Sequence, residues 1–246
     1  MWFNAQMRWI FISPHLDDAI LSTGGLIHDL TRAGEEVEIW TLMCGFLQNE
    51  EVSSLAQALH SQWGFGSAME TIHSRRAEDL TAVEILGARA MHFDFPDCIY
   101  RRSPDGNWLY DVNTFVAPRP EDQSLIMKIT ATLAEYVNEE DQLVCPLAIG
   151  GHVDHVIVRQ AVEKLKRPLQ YYADIPYLLY HRQGLDGVDE NMDAKIWRTS
   201  WRGLIKWQNA AAAYISQIPM EFETSWKMRR MITGYGWEGL RLWSKS

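Results

Sequence analysis

Residues 8–18 read Arg8-Trp9-Ile10-Phe11-Ile12-Ser13-Pro14-His15-Leu16-Asp17-Asp18. A short apolar run of strand length passes straight into a polar segment, and residues 19–33 then continue as a helix that Gly34 closes. A buried strand, a turn that carries His and two Asp, and a helix form the opening half of a β-α-β unit. The rest of the fold follows from how often that unit recurs.

It recurs three more times, and a fifth strand follows. Residues 37–43 read as a second strand rich in β-favouring side chains, and residues 69–86 carry Leu80, Val83 and Leu86 at helical spacing before Gly87. Residues 91–95 form a third strand. A helix over 121–138 leads to a strand at 142–146, a helix over 153–166 stops before Pro168, and 169–173 is a fifth strand. Such alternation predicts an α/β fold, a Rossmann-like three-layer sandwich with a mostly parallel central sheet and helices on both faces. The last third is less regular. It offers helical candidates at 192–214 and 221–233 and holds six of the eleven tryptophans. No Ser/Gly/Pro-rich linker sets it apart, so we expect a single domain over 1–246, with a core at about 8–175 and residues 176–246 as a helical, Trp-rich cap or edge. Residues 48–68 and 101–120 read as long loops, which in a compact domain are often functional.

Composition narrows the partners. The formal net charge of −9 disfavours a polyanion such as nucleic acid, which requires a Lys/Arg-rich face. No apolar segment approaches the ~20 residues of a membrane span, and the first fifteen residues lack a signal-peptide pattern, so a cytoplasmic protein is the expectation. Cys44, Cys98 and Cys145 are too few and too dispersed for a disulfide framework and read as buried small residues. A small polar substrate is compatible with all of this, and so is a homo-oligomer.

Two segments carry chemistry. In an open parallel sheet, ligands collect at the carboxyl ends of strands. Pro14-His15-Leu16-Asp17-Asp18 follows the first strand, and Gly150-Gly151-His152-Val153-Asp154-His155 follows the fourth. Imidazole and carboxylate together suit Zn²⁺ or a similar first-row ion, and of two adjacent carboxylates one can bind metal while the other handles protons. Taken singly, Asp17 and Asp18 also fit a plain helix start, where the dipole favours acids. Two such clusters at the ends of two strands in one sheet point instead to a metal-dependent hydrolase.

The paired segments resemble the signatures of the PIG-L/LmbE-like family of zinc-dependent N-deacetylases, [AP]-H-x-D-D and H-x-D-H. Gly24-Gly25, Arg75-Arg76-Ala77-Glu78 with Ala82 and Leu86-Gly87, and Phe95-Pro96-Asp97 match further family positions in order. Leu16 and Ala19 depart from the family's usual Pro and Glu. The resemblance implies one Zn²⁺ per chain, or another first-row ion such as Fe²⁺, held by His15, Asp18 and His155. It implies Asp17 as general base, and His152 as the group that stabilises the oxyanion or protonates the leaving amine, with Asp154 holding its charged form. Arg75 and Asp97 would contact substrate hydroxyls, although Arg75 also fits a helix-face pair with Glu78 or Glu70, and Asp97 a turn. The implied substrate is a small-molecule amino-sugar conjugate carrying an N-acetyl group.

Alternatives are a metal-dependent amidase for a larger acyl or amide conjugate and a non-catalytic sugar-binding protein of the same fold. A nucleotide-binding Rossmann protein is disfavoured, because the first turn lacks G-x-G-x-x-G. Tyr100-Arg101-Arg102 offers either a basic spot for a substrate carboxylate or phosphate, or a solvated loop. His28, His60, His73, His92 and His181 stand alone and read as surface or core residues, and the carboxyl-terminal tryptophans read mainly as packing.

Overall fold

The computed structural model describes residues 7–180, 185 and 192–245. The elements run β1 (Arg8–Ser13), α1 (Asp18–Ala33), β2 (Glu36–Thr41), α2 (Ser54–Trp63), α3 (Ala68–Leu86), β3 (Arg89–His92), α4 (Asp122–Tyr136), β4 (Gln142–Pro146), α5 (Val153–Glu163) and β5 (Leu169–Tyr172). They continue with α6 (Tyr177–Tyr180), β6 (Met192–Trp197), α7 (Trp201–Ala211), α8 (Ile218–Phe222), α9 (Ser225–Glu238) and β7 (Leu240–Lys245). The sheet order is β3-β2-β1-β4-β5-β7-β6. The first five strands are parallel, with Trp9 opposite Val37 and Phe11 opposite Val144, while β7 runs antiparallel to β5 and to β6. The expected mostly parallel α/β sheet is what the chain forms.

Right-handed crossovers fix the layers. From β1 the chain steps outward through β2 and β3, which puts α1 and α3 on one face, where α7 packs against both. The return to β4 and on to β5 puts α4 and α5 together on the other face. The direction reverses between β1 and β4, and both His/Asp segments leave the sheet at that switch point. No helix among the described residues is long and apolar enough to cross a membrane.

α1 is buried on nearly every side, which is why Gly24 and Gly25 stand in it. A Cβ on Gly24 would lie 2.4 Å from Cδ1 of the fully buried Trp207 on α7. Three helices end on a glycine in the left-handed region (Gly34, Gly64 and Gly87), the positions where the missing Cβ removes the steric cost.

The carboxyl-terminal third differs from expectation. The helix expected at 192–214 is the strand β6 followed by α7, because Ser200 accepts from Gly203 N–H and starts the helix there. The helix expected at 221–233 is divided. α8 ends at Phe222, Glu223 takes φ 63°, and Thr224 caps α9. Residues 240–245, for which no element was expected, form β7, so this region is not simply helical but extends the sheet by two strands. Residues 48–68 hold α2, capped by Ser53, and β3 sits at Arg89–His92 rather than 91–95. His181 lies outside the described residues.

Candidate active site

His15 and Asp17 occupy the turn after β1, and Asp18 is the first residue of α1. Asp17 makes no side-chain cap bond to that helix, so the plain helix-start reading does not describe it. Its Oδ2 lies 3.5 Å from Arg75 Nη2 on α3, whose guanidinium rests 4.9 Å from the Trp63 ring centre. Burial and Asp18 push the Asp17 carboxyl up to about 6, opposed by Arg75 and His15.

From α5, His155 comes to the same point. Asp18 Oδ2 is 3.3 Å from His15 Nδ1 and 3.3 Å from His155 Nε2. Despite its burial, Asp18 is held well below the usual carboxylate range by these two imidazoles. His155 Nε2 is buried and has no hydrogen-bond partner, while Nδ1 lies 2.6 Å from Asp174 Oδ1. Burial opposes protonation of His155, but Asp18 and Asp174 outweigh it and push the ring up to about 10. An orphaned imidazole nitrogen beside a carboxylate and a second imidazole is the donor set a first-row cation takes. The residues present therefore fit a divalent metal.

The orienting groups behind these imidazoles are carboxylates. His15 Nε2 lies 3.1 Å from Asp154 Oδ2, and His155 Nδ1 faces Asp174, an arrangement that fixes ring orientation and tautomer. Here the geometry departs from the expected support of His152 by Asp154. The Asp154 carboxylate accepts from Arg101 Nη1 at 2.5 Å and from Cys98 N–H at 2.9 Å. Its link to His152 is through the main chain, where Asp154 N–H donates to His152 Nδ1 at 3.3 Å as the cap of α5. With Nδ1 accepting, the neutral His152 ring carries its proton on Nε2. Burial, His15 and His155 keep its pKa well below the usual imidazole value.

The other expected residues are also placed. Arg75 lines the cavity, and its supposed helix-face partners are engaged elsewhere, Glu78 with Ser216 and Glu70 with Gly66 N–H. Asp97 makes the turn considered for it, with Oδ1 accepting from Ile99 N–H, while Oδ2 sits 3.7 Å from His15 Nε2 and the residue lines the cavity. Arg101 is not a substrate-facing basic spot, because it is buried between Asp154 and Asp122. Arg102 pairs with Glu51. His60 is bonded to Tyr100 and His92 to Asp79. Trp201, Trp226 and Trp237 are exposed and Trp207 is core, so the carboxyl-terminal tryptophans do not line the cavity.

A cavity of about 370 Å³ opens over these groups. One wall is Phe115, from the loop at 101–120, with its ring 5.3 Å from His152 and 5.6 Å from Tyr177. The lining also includes Gln217, Met220 and Glu221. Sequence reasoning missed Asp174, Tyr177 and this segment. The one available signal was that Asp174 follows β5 at the same edge of the sheet as the two motifs.

The sequence and the fold resemble those of known deacetylases. The family model described as PIG-L, GlcNAc-PI de-N-acetylase, matches residues 10–166. The chain is 28% identical over 177 residues to a 2'-N-acetylparomamine deacetylase of Streptomyces fradiae, covering 69% of this chain and 57% of that protein. It is 27% identical over 197 residues to a 2'-N-acetylparomamine deacetylase of Niallia circulans, covering 73% and 71%. Among solved structures, the zinc-inhibited form of teicoplanin deacetylase Orf2 superposes with a TM-score of 0.82 at 26% identity, covering 98% of this chain and 99% of that one.

Proposed function

Because the chain belongs to the PIG-L family of GlcNAc-PI de-N-acetylases, we propose that it is a metal-dependent hydrolase that removes the N-acetyl group from an amino-sugar conjugate. The observation that carries this reading is the orphaned His155 Nε2 set against Asp18 and His15, with Asp17 alongside. We assign one Zn²⁺ per chain to His15, Asp18 and His155. When bound, such an ion polarises an amide carbonyl and acidifies water.

The chain's own groups do the rest. Asp17 is the base that takes a proton from the attacking water, and Arg75 holds its carboxylate in place. His152 presents Nε2–H to the oxygen of the tetrahedral intermediate. The proton collected on Asp17 goes to the departing amine, so acetate and a free amino sugar leave. Arg75 and Asp97 contact sugar hydroxyls, and Phe115 with Tyr177 offers an aromatic wall to a sugar ring. β6 and β7 complete the sheet, which supports reading the chain as one domain.

Acetate release from N-acetylated amino-sugar conjugates by metal-loaded protein tests this function. Asp17→Asn is expected to lower turnover by about 10²–10⁴-fold, the usual worth of a positioned base, while metal content is unchanged. Wild-type turnover in that variant overturns the base assignment.

A further inference from the structure

α2 delivers an indole to the cavity. Ser53 starts this helix by accepting from Ala56 N–H at 3.1 Å, Gly64 closes it in the left-handed region, and Trp63 is its last residue. The groups around that end are fixed to one another. His60 Nε2 lies 2.6 Å from Tyr100 Oη, and the His60 ring packs 6.2 Å from the Trp63 ring. Trp63 is buried and lines the cavity together with Leu59 from the same helix. Its ring is therefore held on a capped helix rather than on a loose loop.

Arg75 reaches the same place from α3. Its side chain is buried, and two acids, Asp17 and Asp97, line the cavity with it. The contact with Asp17 runs from Nη2 to Oδ2 at 3.5 Å. That is long beside the roughly 2.7–2.9 Å of a charge-assisted bond, and it lacks the paired N–H donors by which an arginine locks onto a carboxylate. The ion pair by itself leaves the guanidinium loosely held. The remaining support is the face of Trp63, whose ring centre lies 4.9 Å from Arg75 Cζ. Tryptophan attracts a cation more strongly than the other aromatic side chains do, and most where water is excluded.

We infer that Trp63 is a positioning residue for the general base: its ring holds the Arg75 guanidinium beside Asp17, so that Arg75 restrains that carboxylate instead of turning toward Asp97 or the bound sugar. Trp63 acts through Arg75 and needs no contact with the reacting atoms. The consequence for turnover rests on the deacetylase reading, whereas the hold of Trp63 on Arg75 does not. An aliphatic side chain at residue 63 fills much of the same space but offers the cation no π face, which separates this role from packing.

The test is a double-mutant cycle on the metal-loaded full chain, with Trp63→Leu, Arg75→Met and the pair, read by acetate release from p-nitrophenyl N-acetylglucosaminide and by urea unfolding. Trp63→Leu is expected to lower kcat by roughly tenfold or more, the scale of a desolvated cation–π contact, with KM changed less and metal content unchanged. In the Arg75→Met background the same replacement is expected to lower kcat further by less than about twofold, because the cation it holds is gone. Trp63→Phe, which keeps a ring, is expected to recover part of kcat, and it carries the same cycle if Trp63→Leu does not fold. Losses that multiply in the double variant, a loss confined to KM, or wild-type kcat in Trp63→Leu overturns the inference and leaves deacetylation standing. Acetate release from no N-acetylated amino sugar by wild type overturns the deacetylase reading instead, and additive changes in urea unfolding then overturn the hold of Trp63 on Arg75 as well.

Discussion

Replacing Asp174 by Asn alters one atom of a buried carboxylate and, by the geometry above, the protonation of a nitrogen on the far side of an imidazole ring. Asp174 Oδ2 accepts from Ile149 N–H at 2.9 Å while Oδ1 faces His155 Nδ1 at 2.6 Å, and both side chains are wholly buried. In Asp174→Asn the amide oxygen stays with Ile149 N–H, since a buried backbone donor without an acceptor is costly. The amide nitrogen then faces Nδ1. Two donors cannot share that contact, so the neutral ring presents its lone pair at Nδ1 and moves its proton to Nε2, the atom we assign as the metal donor. Removal of such an orienting partner typically costs 10–100-fold in metal affinity, and the tautomer reversal favours the upper end, about 3 kcal/mol at ~1.4 kcal/mol per tenfold.

The assay is competition with a chromogenic chelator for Zn²⁺ or Co²⁺, alongside turnover titrated with metal. Affinity is expected to fall toward a hundredfold, with turnover largely restored at saturating metal because Asp174 touches no reacting atom. Asp174→Ala serves as the contrast. It leaves Ile149 N–H unpaired and is expected to lose about 1–3 kcal/mol of folding stability in denaturant, which Asp174→Asn avoids. Unchanged metal affinity in Asp174→Asn, with the protein folded, refutes the tautomer argument.

Two other outcomes follow from the same structure. His155 is held at about 10, so below that pH the ring carries a proton that metal must displace, and His15 is likewise raised well above its ordinary value against its burial by Asp154, Asp18 and Asp97. Apparent metal affinity is therefore expected to rise with pH between 6 and 9 by about one to two log units per pH unit, and chelator competition across that range would show a flat line if the rings were already neutral. In α1, Gly24→Ala gains about 1 kcal/mol of helix propensity but drives a Cβ to 2.4 Å from Trp207, a ring buried too completely to move aside. Overpacking of about 1–3 kcal/mol is expected to dominate, giving a net loss in urea unfolding, and a variant as stable as wild type contradicts the packing account.

What the sequence makes legible is what local rules encode. Residues 9–13 and 142–146 are apolar runs bounded by polar turns, and Gly34 and Gly87 mark helix ends by needing the left-handed region, so the parallel half of the sheet is readable. The two His/Asp segments are readable because each lies within six residues of chain. β6 and β7 are not readable in the same way. Each is six residues long, β6 is largely exposed, and both exist through pairing with distant partners, Trp243 with Tyr171 and with Ala194. Asp174, Arg101 and Glu221 are single charged residues in no pattern, and only the tertiary fold gives each its partner or its place.

Arg101 shows how charge in this site is arranged in layers. A loop arginine three residues beyond Cys98, whose N–H also contacts Asp154, reads naturally as surface, yet its guanidinium lies between two buried carboxylates, Asp154 and Asp122. A carboxylate at the Asp154 position has to be ionised to orient His15, and burial alone opposes that. Arg101 supplies the countercharge, and its effect on Asp154 leaves that carboxyl well below its ordinary range. The same logic runs through the site: Arg101 supports Asp154, Asp154 orients His15, and Asp174 orients His155, so the orientation of both imidazoles is set by buried groups behind them. All of these except Asp174 fall within residues 10–166, whereas Tyr177, Gln217, Met220 and Glu221 fall outside that span. The residues we assign as metal ligands and base thus fall in the family-matched part of the chain, and the remainder contributes part of the cavity lining over them. The contacts of Glu78 with Ser216 and Asp79 with Tyr214 join the two parts through α3, one turn from Arg75, so the segment that leads into α8 is tied to the helix that carries Arg75.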